Sequence, residues 1–149
     1  QKLNEPVILL GGPDDVERAN EILDKISESQ NLRISESQQL ISLVGKINLE
    51  QSASIVKKAK SVLTNDTGLM HIAAAFHKNI VSVWGNTVPE LGMYPYLPKE
   101  KEKCHIVECK DVKCRPCSKL GFKECPKRHF NCMMKIDCDN VVEKLKTEN

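Results

Sequence analysis

Two sets of residues in this chain have types and spacing suited to chemistry. The first is Asn65, Asp66, Thr67 and Gly68 followed by His71, within "LTNDTGLMHIAAAF". An apolar run precedes the set and a helical pattern follows it, so it stands at a strand-to-helix turn. Thr67 and His71 are four residues apart and share one face of that helix. Hydroxyl, imidazole and the free N–H groups of a helix start can then converge on one anion, and phosphate is the expected one. Gly68 allows another group to come close to the backbone. Asp66 repels a phosphate by charge, so its expected tasks are to cap the helix, to accept N–H bonds that hold the turn, or to orient a ligand hydroxyl. The bland alternative for His71 is a half-buried helix residue with a satisfied hydrogen bond.

The second set is Cys114, Cys117, Cys125 and Cys132, spaced C-x-x-C-x7-C-x6-C. This is compact enough for a tetrahedral zinc that would staple a loop without other core, although the second short pair of a zinc ribbon is missing. The alternative is a group of free or half-buried thiols that pack the tail. All seven cysteines fall at positions 104 to 138, and an odd count without a secretory signal fits a reducing cytoplasm better than a disulfide scaffold. Residues 99 to 135 also hold eleven Lys/Arg against five Asp/Glu, which leaves eleven against fifteen in the rest of the totals of 22 and 20. Lys119, Lys123, Lys127, Arg128 and His129 could therefore face an anionic partner, against the commoner reading of a solvated face.

The elements that must position these groups follow from pattern. "PVILLGG" (6–12) reads as a strand buried on both faces of a parallel sheet. Asp14 with Glu17 would cap the next helix, whose apolar stripe is Val16, Ala19, Leu23 and Ile26. "LISLVG" (40–45) is a second strand, and Asn48 caps a helix carrying Leu49, Ala53, Val56 and Ala59. "SVLT" is the third strand, and 67–77 the third helix, burying Leu69, Ile72, Ala73 and Phe76. "NIVSVWG" (79–85) is a β-branched fourth strand that ends at Trp84. Alternating strands and helices mean a parallel α/β sheet, whose ligands sit at the carboxyl ends of strands. The turns at Gly11-Gly12, Asn65–Thr67 and Gly85–Thr87 would emerge there. After Pro89 a proline-rich loop, a short strand at "HIVEC", the Cys-rich basic segment and a terminal helix complete the chain.

With 149 residues, 40% hydrophobic and 4% aromatic, the chain has one modest core. We expect a nucleotide-binding core over 1–103 and a Cys-rich segment with a terminal helix over 104–149, both in one domain. No run approaches membrane-spanning length, and Gln rather than Met at the first position suggests a processed chain or a fragment. "GGPDDVE" lacks G-x-G-x-x-G, so NAD is not expected.

"NLEQSASIVKKAKSVLTNDTGLMHIAAAF", "IVSVWGNTVPELGMYPY" and "CRPCSKLGF…CP…HFNCM" together resemble the C-terminal half of glycosyltransferase family 9, the ADP-heptose:lipopolysaccharide heptosyltransferases, with D-T-G-L-x-H-x-A-A as the specific part. The resemblance implies a Rossmann-like α/β domain, one of the two that face each other in the GT-B arrangement. It implies an ADP-sugar donor whose diphosphate lies at Asp66, Thr67, Gly68 and His71, whose adenine packs near Ile47, and whose ribose is held by a carboxylate, Asp15 or Glu17. It also implies a lipid-linked saccharide acceptor, a cytoplasmic location or a peripheral one at the inner membrane, and an N-terminal domain outside these residues that carries the catalytic base. No cofactor and no nucleic acid are implied, and a structural zinc is the one metal the spacing allows. Two other readings compete: a zinc-stabilised module whose basic tail contacts nucleic acid or protein, and a sugar-nucleotide epimerase domain.

Overall fold

The computed structural model describes residues 5–28 and 40–146. They belong to two compact units, Gln1–Ser54 and Ile55–Asn149. Each carries parallel strands with helices between them, the α/β class expected from the sequence.

In the first unit β1 (Val7–Leu9) pairs in parallel with β2 (Leu40–Ser42), Val7 opposite Leu40 and Leu9 opposite Ser42. The apolar run at 6–12 predicts a strand buried on both faces, and this is corrected: Val7 and Ile8 are 40% and 41% exposed. A continuous apolar run does not reveal how many faces are covered. The start of α1 (Val16–Glu28) is also corrected. The capping carboxylate is Asp15, not Asp14 or Glu17: Gly12 N–H donates to Asp15 Oδ2 at 2.8 Å, and Asp15 N–H returns to the Gly12 carbonyl at 3.1 Å. A short 3-10 turn over Pro13–Asp15 shifts the helix start past the expected cap. At α2 (Leu49–Lys58), Asn48 caps as expected, because Gln51 N–H donates to Asn48 Oδ1 and Asn48 N–H to Gln51 Oε1, both at 2.9 Å.

The second unit is a three-stranded parallel sheet in the order β3 (Ser61–Thr64), β4 (Asn79–Trp84), β5 (Cys104–Glu108). The β-branched run makes β4 the middle strand, with Ile80, Val81 and Ser82 fully buried and Trp84 only 1% exposed. The Trp84 indole N–H donates to Ser82 Oγ at 3.0 Å. Helix α3 (Gly68–Ala75) links β3 to β4. Its buried face is Met70, Ala73 and Ala74, with Leu69, Ile72 and Phe76 half-buried, so the predicted stripe is rotated. Nearly every position of this helix is apolar, and periodicity alone does not choose the face.

The tail contributes core. Val141 of α5 (Cys138–Lys146) packs with Val81 and Val107, backed by Val83, Ile136 and Leu145. Ser61 Oγ donates to the Leu145 carbonyl at 3.0 Å and Asn79 Nδ2 to that of Lys144 at 3.2 Å, so strand side chains satisfy the helix end. The last three residues of the predicted terminal helix lie outside the described ones. Between β5 and α4 (Asn131–Met134), residues 109–130 contain no helix or strand.

Candidate functional site

Strands β3 and β4 run parallel in register, Thr64 opposite Ser82, so the turns that follow them leave the sheet on one edge. The first turn, Asn65–Thr67, feeds directly into α3. Thr67 takes the N-cap position with extended backbone, φ −144° and ψ 163°, and no side chain caps the helix. The first-turn N–H groups are those a helix leaves without internal partners. A Cβ placed on Gly68 would meet nothing within 4 Å, so the space beside the helix start is open. The Thr67 hydroxyl lies 3.1 Å from that of Thr64, which itself donates to the Asn65 carbonyl at 2.9 Å. An entering oxygen would have to draw the Thr67 proton away from Thr64. His71 is exposed one turn later and Asp66 is half-buried. Among the described residues, no hydrogen bond or ion pair engages either side chain. Of the tasks expected of Asp66, capping and holding the turn are not seen in this structure.

The second turn, Gly85–Thr87, is closed. The Arg115 guanidinium donates through Nη2 to the Thr87 carbonyl at 2.9 Å and the Trp84 carbonyl at 3.3 Å, through Nε to Gly85, and through Nη1 to Cys109 at 3.0 Å. Its Nη2 also lies 3.0 Å from Glu108 Oε2, and the two side chains are 5% and 7% exposed. A buried cation is tolerable only when paired and fully hydrogen-bonded, and this fork is both. Cys117 N–H donates to the Asn86 carbonyl at 2.8 Å, and Asn86 Nδ2 to that of Phe122 at 2.7 Å. The Cys-rich tail is thus tied to the sheet edge. Sequence reasoning missed Arg115 and Glu108: an arginine between two cysteines reads as one more basic tail residue, and nothing local announces that β5 supplies its counter-ion.

Between the two turns and the tail lies a cleft of about 210 Å³. Asn65, Asp66, Asn86 and Thr87 give it polar lining, and Val83, Leu120, Phe130 and Met133 apolar lining. A larger cleft of about 550 Å³, between β5 and the start of α5, is lined by charges of both signs, among them Glu90, Lys110 and Asp137, and by none of the predicted donor residues.

The remaining predicted residues fall elsewhere. Asp15, Glu17 and Ile47 belong to the first unit. One oxygen of Asp15 is taken by the helix cap, Glu17 is exposed in the first turn of α1, and Ile47 is half-buried just before α2. Among the described residues, no three His, Cys, Asp or Glu side chains come together in a way that could hold a metal. Cys117 Sγ turns back to the Cys114 carbonyl at 3.6 Å, and Cys125 Sγ receives Phe130 N–H at 3.4 Å. Burial raises the Cys132 and Cys117 thiols above their ordinary pKa, with neighbouring cysteines adding to the shift, whereas backbone N–H groups led by that of Phe130 lower Cys125. All seven cysteines are free thiols. His129 does not face an anionic partner with both nitrogens: Nδ1 accepts Asn131 N–H at 3.1 Å and Nε2 lies 3.9 Å from Cys114 Sγ. Lys119, Lys123, Lys127 and Arg128 are exposed.

A family model for glycosyltransferase family 9 (heptosyltransferase) matches residues 1–124. The chain belongs to this family. Lipopolysaccharide heptosyltransferase 2 of Salmonella typhimurium is 35% identical over 72% of the chain and 28% of the relative. Its Escherichia coli counterpart is 33% identical over 68% of the chain and 26% of the relative. A lipooligosaccharide heptosyltransferase 2 of Campylobacter jejuni matches 96% of the chain at 26% identity, again over only 40% of its own length. The chain therefore spans well under half of these relatives. A solved structure of the Escherichia coli ADP-heptose LPS heptosyltransferase II shares the fold, with a TM-score of 0.56 and 24% identity over 95% of this chain and 38% of that one. No helix among the described residues is long and apolar enough to cross a membrane.

Proposed function

We propose that this chain is the donor-binding part of a glycosyltransferase that moves heptose from ADP-heptose to a lipopolysaccharide core or a similar lipid-linked acceptor. The observation that carries the reading is the open β3–α3 turn, where a helix start, a glycine with empty space beside it and an exposed histidine stand at the carboxyl edge of a parallel sheet. Family membership and the relatives' names support the choice of donor and acceptor. In this reading the diphosphate sits against the N–H groups of Gly68 and its neighbours, with Thr67 and His71 as side-chain donors. As the sugar leaves, charge grows on the ADP oxygen, and preorganised donors stabilise it without reorganising. The base that activates the acceptor hydroxyl comes from an N-terminal domain outside these residues.

The test is ADP binding, with thermal stability measured on the same samples. His71→Ala removes one hydrogen bond to a charged phosphate and is expected to weaken ADP binding by roughly 1.5–3 kcal/mol. Stability should hold, because α3 is buried through Met70, Ala73 and Ala74 while His71 is exposed. Unchanged affinity with a lowered melting temperature would make His71 a structural residue and remove the phosphate site. Transfer of heptose from ADP-heptose to an acceptor saccharide, assayed in the intact protein, tests the reaction itself.

A further inference from the structure

Phe130 is an apolar ring held in the open at a conformational cost. Its backbone has φ +46°, a left-handed conformation that a bulky side chain rarely adopts, and Arg128 two residues earlier has φ +57°. The backbone groups of Phe130 account for that conformation: its N–H donates to Cys125 Sγ at 3.4 Å, and its carbonyl accepts from Met133 and Met134, both at 3.0 Å. None of these bonds needs an aromatic side chain, and glycine would make them with less strain. Phe130 is nevertheless 43% exposed, and it lines the 210 Å³ cleft together with Asp66, Asn86 and Thr87. Residues held strained around a cleft point to function.

The cleft's two chemistries narrow its occupant. One side offers a carboxylate with no partner among the described residues, together with amide and hydroxyl groups. The rest of the lining is apolar, from Val83, Leu120, Phe130 and Met133. Drug-sized ligands fill pockets of about 300–1,000 Å³, and the 210 Å³ of this cleft has room for one ring of a ligand. A sugar ring has that dual character, with hydroxyls around its rim and C–H groups on its faces. Asp66 excludes the phosphate itself by charge but can accept two hydroxyl hydrogen bonds.

We propose that the cleft is the sugar pocket of the donor site and that Phe130, supplied by the Cys-rich tail, is a specificity-determining wall against which the sugar's C–H face packs. This rests on the donor-binding reading above, which puts the diphosphate at the adjoining turn. The tail then has a task beyond covering the sheet: Arg115 anchors it, and Phe130 reports which sugar has entered.

The experiment compares affinities of the protein for ADP and for ADP-heptose, with Phe130→Gly and Phe122→Ala as variants. Phe122 is 51% exposed in the same tail but does not line the cleft, so it serves as the control. Phe130→Gly is expected to leave ADP affinity and melting temperature at or above those of the unsubstituted protein. It should weaken ADP-heptose by about tenfold, the effect of losing part of a buried aromatic side chain. Phe122→Ala should change neither ligand. An unchanged ratio of the two affinities in Phe130→Gly overturns the inference, as does an equal fall for both ligands together with lost stability. Failure of the unsubstituted protein to bind ADP is a different result, and it overturns the donor-binding reading along with the inference.

Discussion

Two turns leave the same edge of the same sheet and are built in opposite ways. After β3, the Asn65–Thr67 turn has no side-chain cap, an open space at Gly68, and Asp66 and His71 without partners among the described residues. After β4, the Gly85–Thr87 turn has its carbonyls bonded by Arg115 and its Asn86 amide by Phe122, and a Cβ on Gly85 would lie 2.6 Å from Met133 Sδ. The second turn already holds its ligand, a guanidinium from its own chain. The first is left open, with nothing within 4 Å of a Cβ placed on Gly68. A glycine, a small polar residue and a strand end occur in both, so what separates them is whether the rest of the chain comes back to fill the space.

Breaking the closed turn should have the largest effect. Arg115→Ala leaves several carbonyls without donors and Glu108 with only Lys110, 3.6 Å from its Oε1, as counter-ion, and a loss of about 3 kcal/mol in urea-induced unfolding is expected. Arg115→Lys should recover only part of it, because an ammonium cannot reproduce the fork. A loss below about 1 kcal/mol, the size of a surface ion pair, would mean that the tail is not clasped at this point.

The open turn should respond in the reverse manner. Gly68→Ala meets no atom within 4 Å and replaces a poor helix former, so stability should hold or rise by roughly 0.5–1 kcal/mol. ADP binding should nevertheless weaken, since the methyl occupies the space beside the helix start. A clear loss of stability instead would show that the space is used by the chain and not by a ligand.

Smaller differences lie inside the tail. Cys125 is lowered by backbone N–H groups, whereas Cys117 and Cys132 are raised by burial. As pH rises, the Cys125 thiolate forms before those of Cys117 and Cys132, and alkylation mapped by mass spectrometry should mark it before the other two. Preferential labelling of Cys132 would reverse this assignment.

Treatment of the protein with a zinc chelator is expected to change its melting temperature least of all. The tail is tied by Arg115, by the Cys117 N–H donating to the Asn86 carbonyl and by the Asn86 side-chain amide donating to the Phe122 carbonyl, without three metal ligands converging among the described residues. A drop of several degrees on chelation, accompanied by about one metal per chain in elemental analysis, would mean that zinc shares the clasp. Cys117→Ser would then remove both.

The sequence by itself determined the alternation of elements, because strand and helix announce themselves by local period. "NIVSVWG" reads as a β-branched strand, Asn48 as a helix cap and "HIVEC" as a last short strand, and a strand, a cap and a strand are present there. It also placed the glycine, threonine and histidine of the first turn at a helix start, since that depends on spacing along four or five residues. It could not choose which face of a mostly apolar helix is buried, and it put the α1 cap at Asp14 where Asp15 takes it, because a single 3-10 turn moves the helix start past the expected cap. Tertiary structure alone decided the meaning of the tail. Arg115 is one of many basic residues in the sequence, and it becomes a buried fork only because β5 brings Glu108 beside the carbonyls that follow β4. Phe130 is one exposed aromatic residue in the sequence, and only the fold, with left-handed backbone at its position, makes it line a cleft with Asp66. Local patterns fix what a segment becomes, whereas contacts between segments far apart in sequence fix what its side chains meet.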